Sequence, residues 1–229
     1  MTNLEIRSLA EPVEFRSEGT KLVAAGVAIR YGVPSKPMRV SGKRTFREVI
    51  QPGAATKALE VRGEDLYAVH EHDRRMMLGR VGAGTLRVED TPTEMRYEID
   101  LPDTTYGRDL AVSLERRDVT GSSHGFLSLP SAERWSVGED GIALRSVGTL
   151  SLFDHISTTC APAYAEASAE LALRSLSDQT GHEIRSLVEA AEAGRLPELI
   201  DADPGEETDE TETGDDGREI TVIRRRLVA

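Results

Sequence analysis

The sequence predicts a mainly β fold with flanking helices (α+β): a compact antiparallel β-barrel or sandwich, then a helical segment, then a disordered acidic tail. Three observations predict it. Short apolar runs broken by Gly and Pro recur over residues 1–165. Residues 166–200 turn rich in Ala, Glu, Leu and Arg, which are strong helix formers. Residues 201–229 open with a dense acidic run.

The first strands read from LVAAGVAI (22–29), LYAVH (66–70) and GTLRVED (84–90). In MRYEIDL, Met95, Tyr97, Ile99 and Leu101 alternate with Arg96, Glu98 and Asp100. That period of two, with one wet face, is the mark of an antiparallel strand. YGVPSKP, QPG, VGAG and VGEDG supply the turns between runs. Many short strands at near-regular spacing point to a barrel or sandwich. GAATKALE (53–60) and DLAVSLERRD (109–118) read instead as helices. The second places Leu110 and Leu114 on one face, with Asp109 favouring its N-terminus. GSSHGF (121–126) reads as a tight bend, and IALRSVGTLSLF (142–153) as one long strand-like run.

In the helical segment, Ile184, Leu187, Val188 and Ala191 form an apolar stripe suited to the barrel or to a partner helix. The tail run DADPGEETDETETGDDGRE carries ten acidic residues against Arg218 alone. It lacks the apolar surface to offset its ordering entropy, so disorder is expected. Most of the chain's net charge of −12 lies there, and the preceding domain is close to neutral.

Length and composition bound the function. At 229 residues the chain suits one globular domain with an extension, or at most two small domains. The acidic balance argues against nucleic acid as a partner, and no apolar run approaches the length of a membrane span. The start, MTNLEIRSLAEPVEF, lacks a basic-then-apolar secretory pattern, so cytosolic synthesis is expected. Cys160 is the only cysteine, which excludes an intramolecular disulfide and a thiolate-cage metal site.

Three segments hold candidate chemistry. His70 and His72 lie two apart at the end of an apolar run and would share a face of a strand. They could ligate a metal with further partners, supply one general base, or serve as plain polar residues at a strand end. In DVTGSSHGFLS (118–128) a serine nucleophile would need a histidine to take its proton and donors for the oxyanion. In SLFDHISTTCAPAY (151–164), His155 or Asp154 could orient that histidine. On a regular strand the two point to opposite faces, so only one would reach the site.

Taken in order, FREVIQPGAA (46–55), HDRRMMLGR (72–80), GSSHGF (121–126) and HISTTCAPAY (155–164) resemble the prohead maturation proteases of tailed bacteriophages. Those HK97-type enzymes are related in fold to the herpesvirus assembly proteases. The likeness spans roughly residues 20–165 and implies a β-barrel of the herpesvirus-protease type. It assigns the general base to His72 rather than His70, because His72 directly precedes Asp73. It assigns the nucleophile to Ser123 rather than Ser122, two residues before Gly125. His155 falls where many members carry Glu, which gives a Ser-His-His arrangement with Asp154 as a rival. The family carries Asn where this chain has Glu71.

The resemblance further implies a serine endopeptidase without cofactor, acting in the host cytoplasm inside the immature capsid. Its implied partners are the major capsid protein with its scaffolding segment, and further copies of itself as a homo-oligomer; the protease is also an implied substrate. Residues 166–229 would then direct it into the shell. Two rivals stand beside this reading. One is a non-catalytic scaffolding protein. The other is a small-barrel metal enzyme using His70, His72 and either His124 or His155.

Overall fold

Strand-forming runs separated by turn residues assemble into three larger open sheets and a two-stranded one, in a computed structural model that describes residues 4–19, 21–160, 166–201, 208–213 and 219–224. The first sheet orders β1 (Glu5–Leu9), β10 (Gly121–Ser128), β13 (Leu150–Thr159), β6 (Tyr67–His70) and β7 (Asp73–Arg80) side by side. The second orders β2 (Glu14–Glu18), β3 (Lys21–Arg30), β9 (Glu94–Asp100) and β8 (Leu86–Asp90). The third orders β11 (Glu133–Val137), β12 (Ala143–Val147), β5 (Lys43–Ile50) and β4 (Met38–Val40). Among the described residues five α-helices accompany them: α1 (Thr56–Arg62), α2 (Thr105–Glu115), α3 (Glu166–Thr180), α4 (Ile184–Glu192) and α5 (Leu196–Asp201).

The chain is thus mainly β with helices, but the expected closed antiparallel barrel is not found. Among the described residues each sheet ends on two strand edges. Two pairings, β13 with β6 and β12 with β5, are parallel. Register shifts at Val27/Ile29 in β3 and at Gly125/Phe126 in β10 locally disrupt the ladder, as bulges do.

The alternation read in MRYEIDL holds: Met95, Tyr97 and Ile99 are buried. They join Ala24, Ile29, Ala68, Phe126, Phe153 and Ile156 in a core shared by the first two sheets, with Ala58 of α1 and Leu110 and Leu114 of α2. A second core unites Met38, Val40, Phe46 and Ala143 of the third sheet with the C-terminal helices. Ala169, Ala172, Leu173 and Leu176 give α3 its inward stripe. In α4, Leu187 and Ala191 are buried and Val188 packs beside them, while Ile184 is exposed. The apolar stripe therefore lies on this chain's own third sheet.

Several local expectations are corrected. The cap of α2 is Thr104, whose hydroxyl accepts from the Gly107 amide at 3.2 Å, and Asp109 lies inside the helix. The run 142–153 divides into β12 and β13 around Gly148, where a Cβ would stand 2.7 Å from the Ala132 carbonyl oxygen. GSSHGF is no bend but the start of β10, a strand flanked on both sides. In the tail, β14 (Thr208–Thr213) pairs antiparallel with β15 (Glu219–Arg224), where disorder is expected from charge alone. Thr208, Thr211, Thr213 and the run 220–223 are β-branched, a composition that favours strands. The rest of the expected disordered tail lies outside the described residues.

Candidate active site

β6 and β7 are joined by Glu71 and His72 alone, and both residues have positive φ, 48° and 58°. Two left-handed residues in a two-residue hairpin loop match the twist of the flanking strands, the logic of the type I′ turn. His70 closes the turn opposite Asp73. His70 and His72 therefore do not share a strand face. His70 Nδ1 lies 2.9 Å from Thr158 Oγ1, while His72 is carried forward on the turn.

The end of β13 holds this turn in place. The Glu71 amide donates to the Thr158 carbonyl at 3.0 Å, and the His72 amide donates to Ser157 Oγ at 3.0 Å. The Glu71 carboxylate accepts from the Cys160 amide at 2.6 Å and from the Thr159 hydroxyl at 3.2 Å. Glu71, Ser157 and Thr159 are thus part of the site's frame; the last two lie within HISTTCAPAY, but the motif does not say which of its residues hold the turn.

Ser123 sits in β10 opposite Ser157 of β13 on one side and Ser8 of β1 on the other. His72 Nε2 lies 2.8 Å from Ser123 Oγ. His72 Nδ1 lies 2.7 Å from His155 Nε2, the two rings meeting edge to face at 79°. His155 Nδ1 in turn lies 3.0 Å from Asp154 Oδ2. The expected residues Ser123, His72 and His155 therefore come together, and Asp154 joins them in series.

The neighbours sort out the other candidates. The Ser122 hydroxyl is engaged with the Tyr97 hydroxyl at 2.7 Å, away from the histidines. The His124 ring stacks on Phe126 and Phe153 in the core, and neither of its ring nitrogens meets a hydrogen-bond partner. Of the set considered for a metal, His70, His72 and either His124 or His155, the structure brings His72 and His155 to 2.7 Å, while His70 turns to Thr158. Among the described residues no group of three or more His, Cys, Asp or Glu is arranged to hold an ion.

Gly125 has a steric reason to be glycine: a Cβ there would stand 2.6 Å from Cε1 of His155. No motif marks β1, yet it reaches Ser123. Ser8 donates to Ser123 Oγ at 3.1 Å, and the Ser123 hydroxyl is 2.9 Å from the Arg7 carbonyl oxygen it can donate to. Ser123 has no exposed surface in this arrangement. Residues 122–126 lie in ladders with β1 and β13 on either side.

Burial tunes the histidines. It lowers His72 to about 4, helped by the neighbouring His155 and opposed by Glu71. It also lowers His155, with Arg74 and Arg62 adding to the effect and Asp154 opposing it. Burial works to raise Asp154, but hydrogen bonds from His155 and Tyr67 bring it below its ordinary value. A neutral imidazole beside a hydroxyl, backed by a second neutral imidazole, can accept that hydroxyl's proton.

A family model described as the caudovirus prohead serine protease matches residues 7–181. Among solved structures, the bacteriophage T4 capsid assembly protease is similar at 13% identity with a TM-score of 0.43, over 69% of this chain and 98% of that one. No curated protein matches the chain.

Proposed function

The chain belongs to the caudovirus prohead serine protease family, and from that premise we propose that it is a serine endopeptidase whose nucleophile is Ser123 and whose general base is His72. As a member of this family it is a capsid-maturation protease of tailed phages. The observation that carries the catalytic assignment is the 2.8 Å approach of His72 Nε2 to Ser123 Oγ across 51 residues of chain.

In the proposed reaction, Ser123 Oγ attacks the scissile carbonyl while His72 Nε2 takes the hydroxyl proton. The imidazolium then returns that proton to the leaving amine, and water hydrolyses the acyl-enzyme by the same exchange. His155 keeps the His72 ring turned toward the serine. The proposed substrates are the major capsid protein with its scaffolding segment and the protease itself, cut within the immature capsid. Because Ser123 has no exposed surface, a substrate carbonyl gains access only when the structure around it opens locally, a step of the kind that limits turnover in many enzymes.

The test is co-expression with the matching capsid protein, wild type against Ser123→Ala, followed by intact-mass measurement of both chains. The expected result is a shortened capsid protein with the wild type and uncut chains with the variant, which keeps its fold. Cleavage that continues in Ser123→Ala excludes Ser123. Intact capsid protein beside the folded wild type leaves the scaffolding role instead.

A further inference from the structure

We propose that Asp154 is a positioning residue that sets the direction of the proton path from Ser123 through His72 and His155. This rests on the reading of Ser123 and His72 above. It also resolves the choice between His155 and Asp154 that a regular strand would force.

The chain geometry departs from a regular strand at this point. In the ladder between β10 and β13, Gly125 pairs with His155 and Phe126 pairs with Phe153, so Asp154 has no partner across the ladder. It is the extra residue of a bulge. A bulge breaks the alternation of faces and re-aims a side chain. Two consecutive residues, Asp154 and His155, thereby turn toward each other and meet at 3.0 Å.

The carboxylate is held as an ion. Besides His155, it accepts from the Tyr67 hydroxyl at 2.8 Å, from Arg74 Nη2 at 3.1 Å and from Arg62 Nη2 at 3.2 Å. Three of these four contacts fall on Oδ2 and one on Oδ1, and an ionised carboxylate has no proton to give. His155 must therefore carry its proton on Nδ1 and leave Nε2 as an acceptor. His72 must then place its own proton on Nδ1, facing His155. That leaves His72 Nε2 bare toward Ser123, as a general base requires. A neutral histidine in third place, by itself, would allow either direction.

The groups facing His155 are Asp154 on its own strand, Tyr67 of β6, Arg62 of α1, Arg74 of β7, His72 of the turn and His124 of β10. Two guanidiniums accompany one carboxylate, so the surroundings do not favour an imidazolium at His155. What Asp154 supplies is orientation of the proton path more than charge.

The test uses the full chain, a peptide spanning the cleavage site identified by mass measurement, and ¹⁵N NMR of the histidine rings, for Asp154→Ala, Asp154→Asn and Ser123→Ala. In Asp154→Ala, kcat falls at least tenfold with KM within twofold. Both tautomers of His155 and His72 then appear, and the acid limb of kcat/KM moves to lower pH because a negative neighbour is gone. Asp154→Asn keeps an amide oxygen for His155 Nδ1–H, so it keeps single tautomers and loses less kcat, while its acid limb moves the same way. Unchanged kcat in Asp154→Ala overturns the proposal. So do single, unaltered tautomers in that variant, or equal losses in the two variants. Should Asp154→Ala fail to fold, the Asp154→Asn pH profile and ring spectrum decide. If Ser123→Ala still cleaves, the protease assignment itself fails, an outcome separate from a null result at Asp154 with Ser123→Ala inactive.

Discussion

His72, His124 and His155 share one property: burial lowers each of them from the usual histidine value. His72 titrates at about 4 and His124 at about 3 in the folded chain, whereas an unfolded histidine titrates near 6.5. Below about pH 6.5 the unfolded chain therefore takes up protons that the folded chain refuses. Stability is greatest above that value, declines as the pH falls, and levels off for these groups once their folded values are passed. Urea midpoints measured from pH 7.5 to pH 4 should fall steadily, and His124→Leu should flatten the slope. Activity follows the same sign. His72 must be neutral to act as base, so the acid limb of kcat/KM should lie below pH 6.5, toward 4. A limb at or above 6.5 would show that burial does not control this ring.

At the scale of elements, the site depends on a two-residue turn and on the strand behind it. Glu71 and His72 both occupy left-handed backbone, which costs an ordinary residue roughly 1–2 kcal/mol and a β-branched residue more. Asn visits this region readily, and it is the residue the family resemblance places at 71. Glu71→Val should cut the cleavage rate severalfold or more and lower the urea midpoint, because the turn carrying His72 opens. Glu71→Asn should keep most of the activity, losing only the carboxylate contacts to Thr159 and Cys160. Equal rates in Glu71→Val and wild type would show that the turn does not position His72. β13 unites these pieces by pairing with β10, which carries Ser123, and with β6, which leads to His72. Neither role can be read from the strand's composition. The alternation of faces in a single segment does not show that one residue, Asp154, is left out of the ladder.

At the scale of the whole molecule, a buried ionic network joins β1 to the third sheet. Arg145 has no exposed surface and reaches Glu5, Glu48 and Glu133, while Arg7 pairs with Glu5 and Glu48. Ser128 of β10 and Ser175 of α3 complete it. The network ties the strand beside Ser123, the third sheet and the C-terminal helix α3 into one unit. Burial works to raise Glu5, but Arg7 and Arg145 hold it ionised, at about 2. Arg145→Met would leave these carboxylates short of a buried partner, and breaking such a pair costs about 3–5 kcal/mol. The expected outcome is a loss of that size in urea unfolding, with cleavage falling as β1 loosens. A loss under about 1 kcal/mol, within the range of surface ion pairs, would show that the network is not stabilising.

The sequence by itself determined the mainly β character, the helices after residue 165, and the three polar groups on which the family resemblance converges. Those are properties of neighbouring residues: periodicity, helix propensity and short motifs are written along the covalent chain. Only the tertiary structure decided that no closed barrel is found among the described residues, that GSSHGF is a strand, and that Asp154 and His155 lie in series. It alone brought His72 to Ser123 over 51 residues and to His155 over 83. Such meetings depend on which distant strands pair and in what register, and a bulge or a left-handed turn alters the aim of a side chain without altering the local pattern.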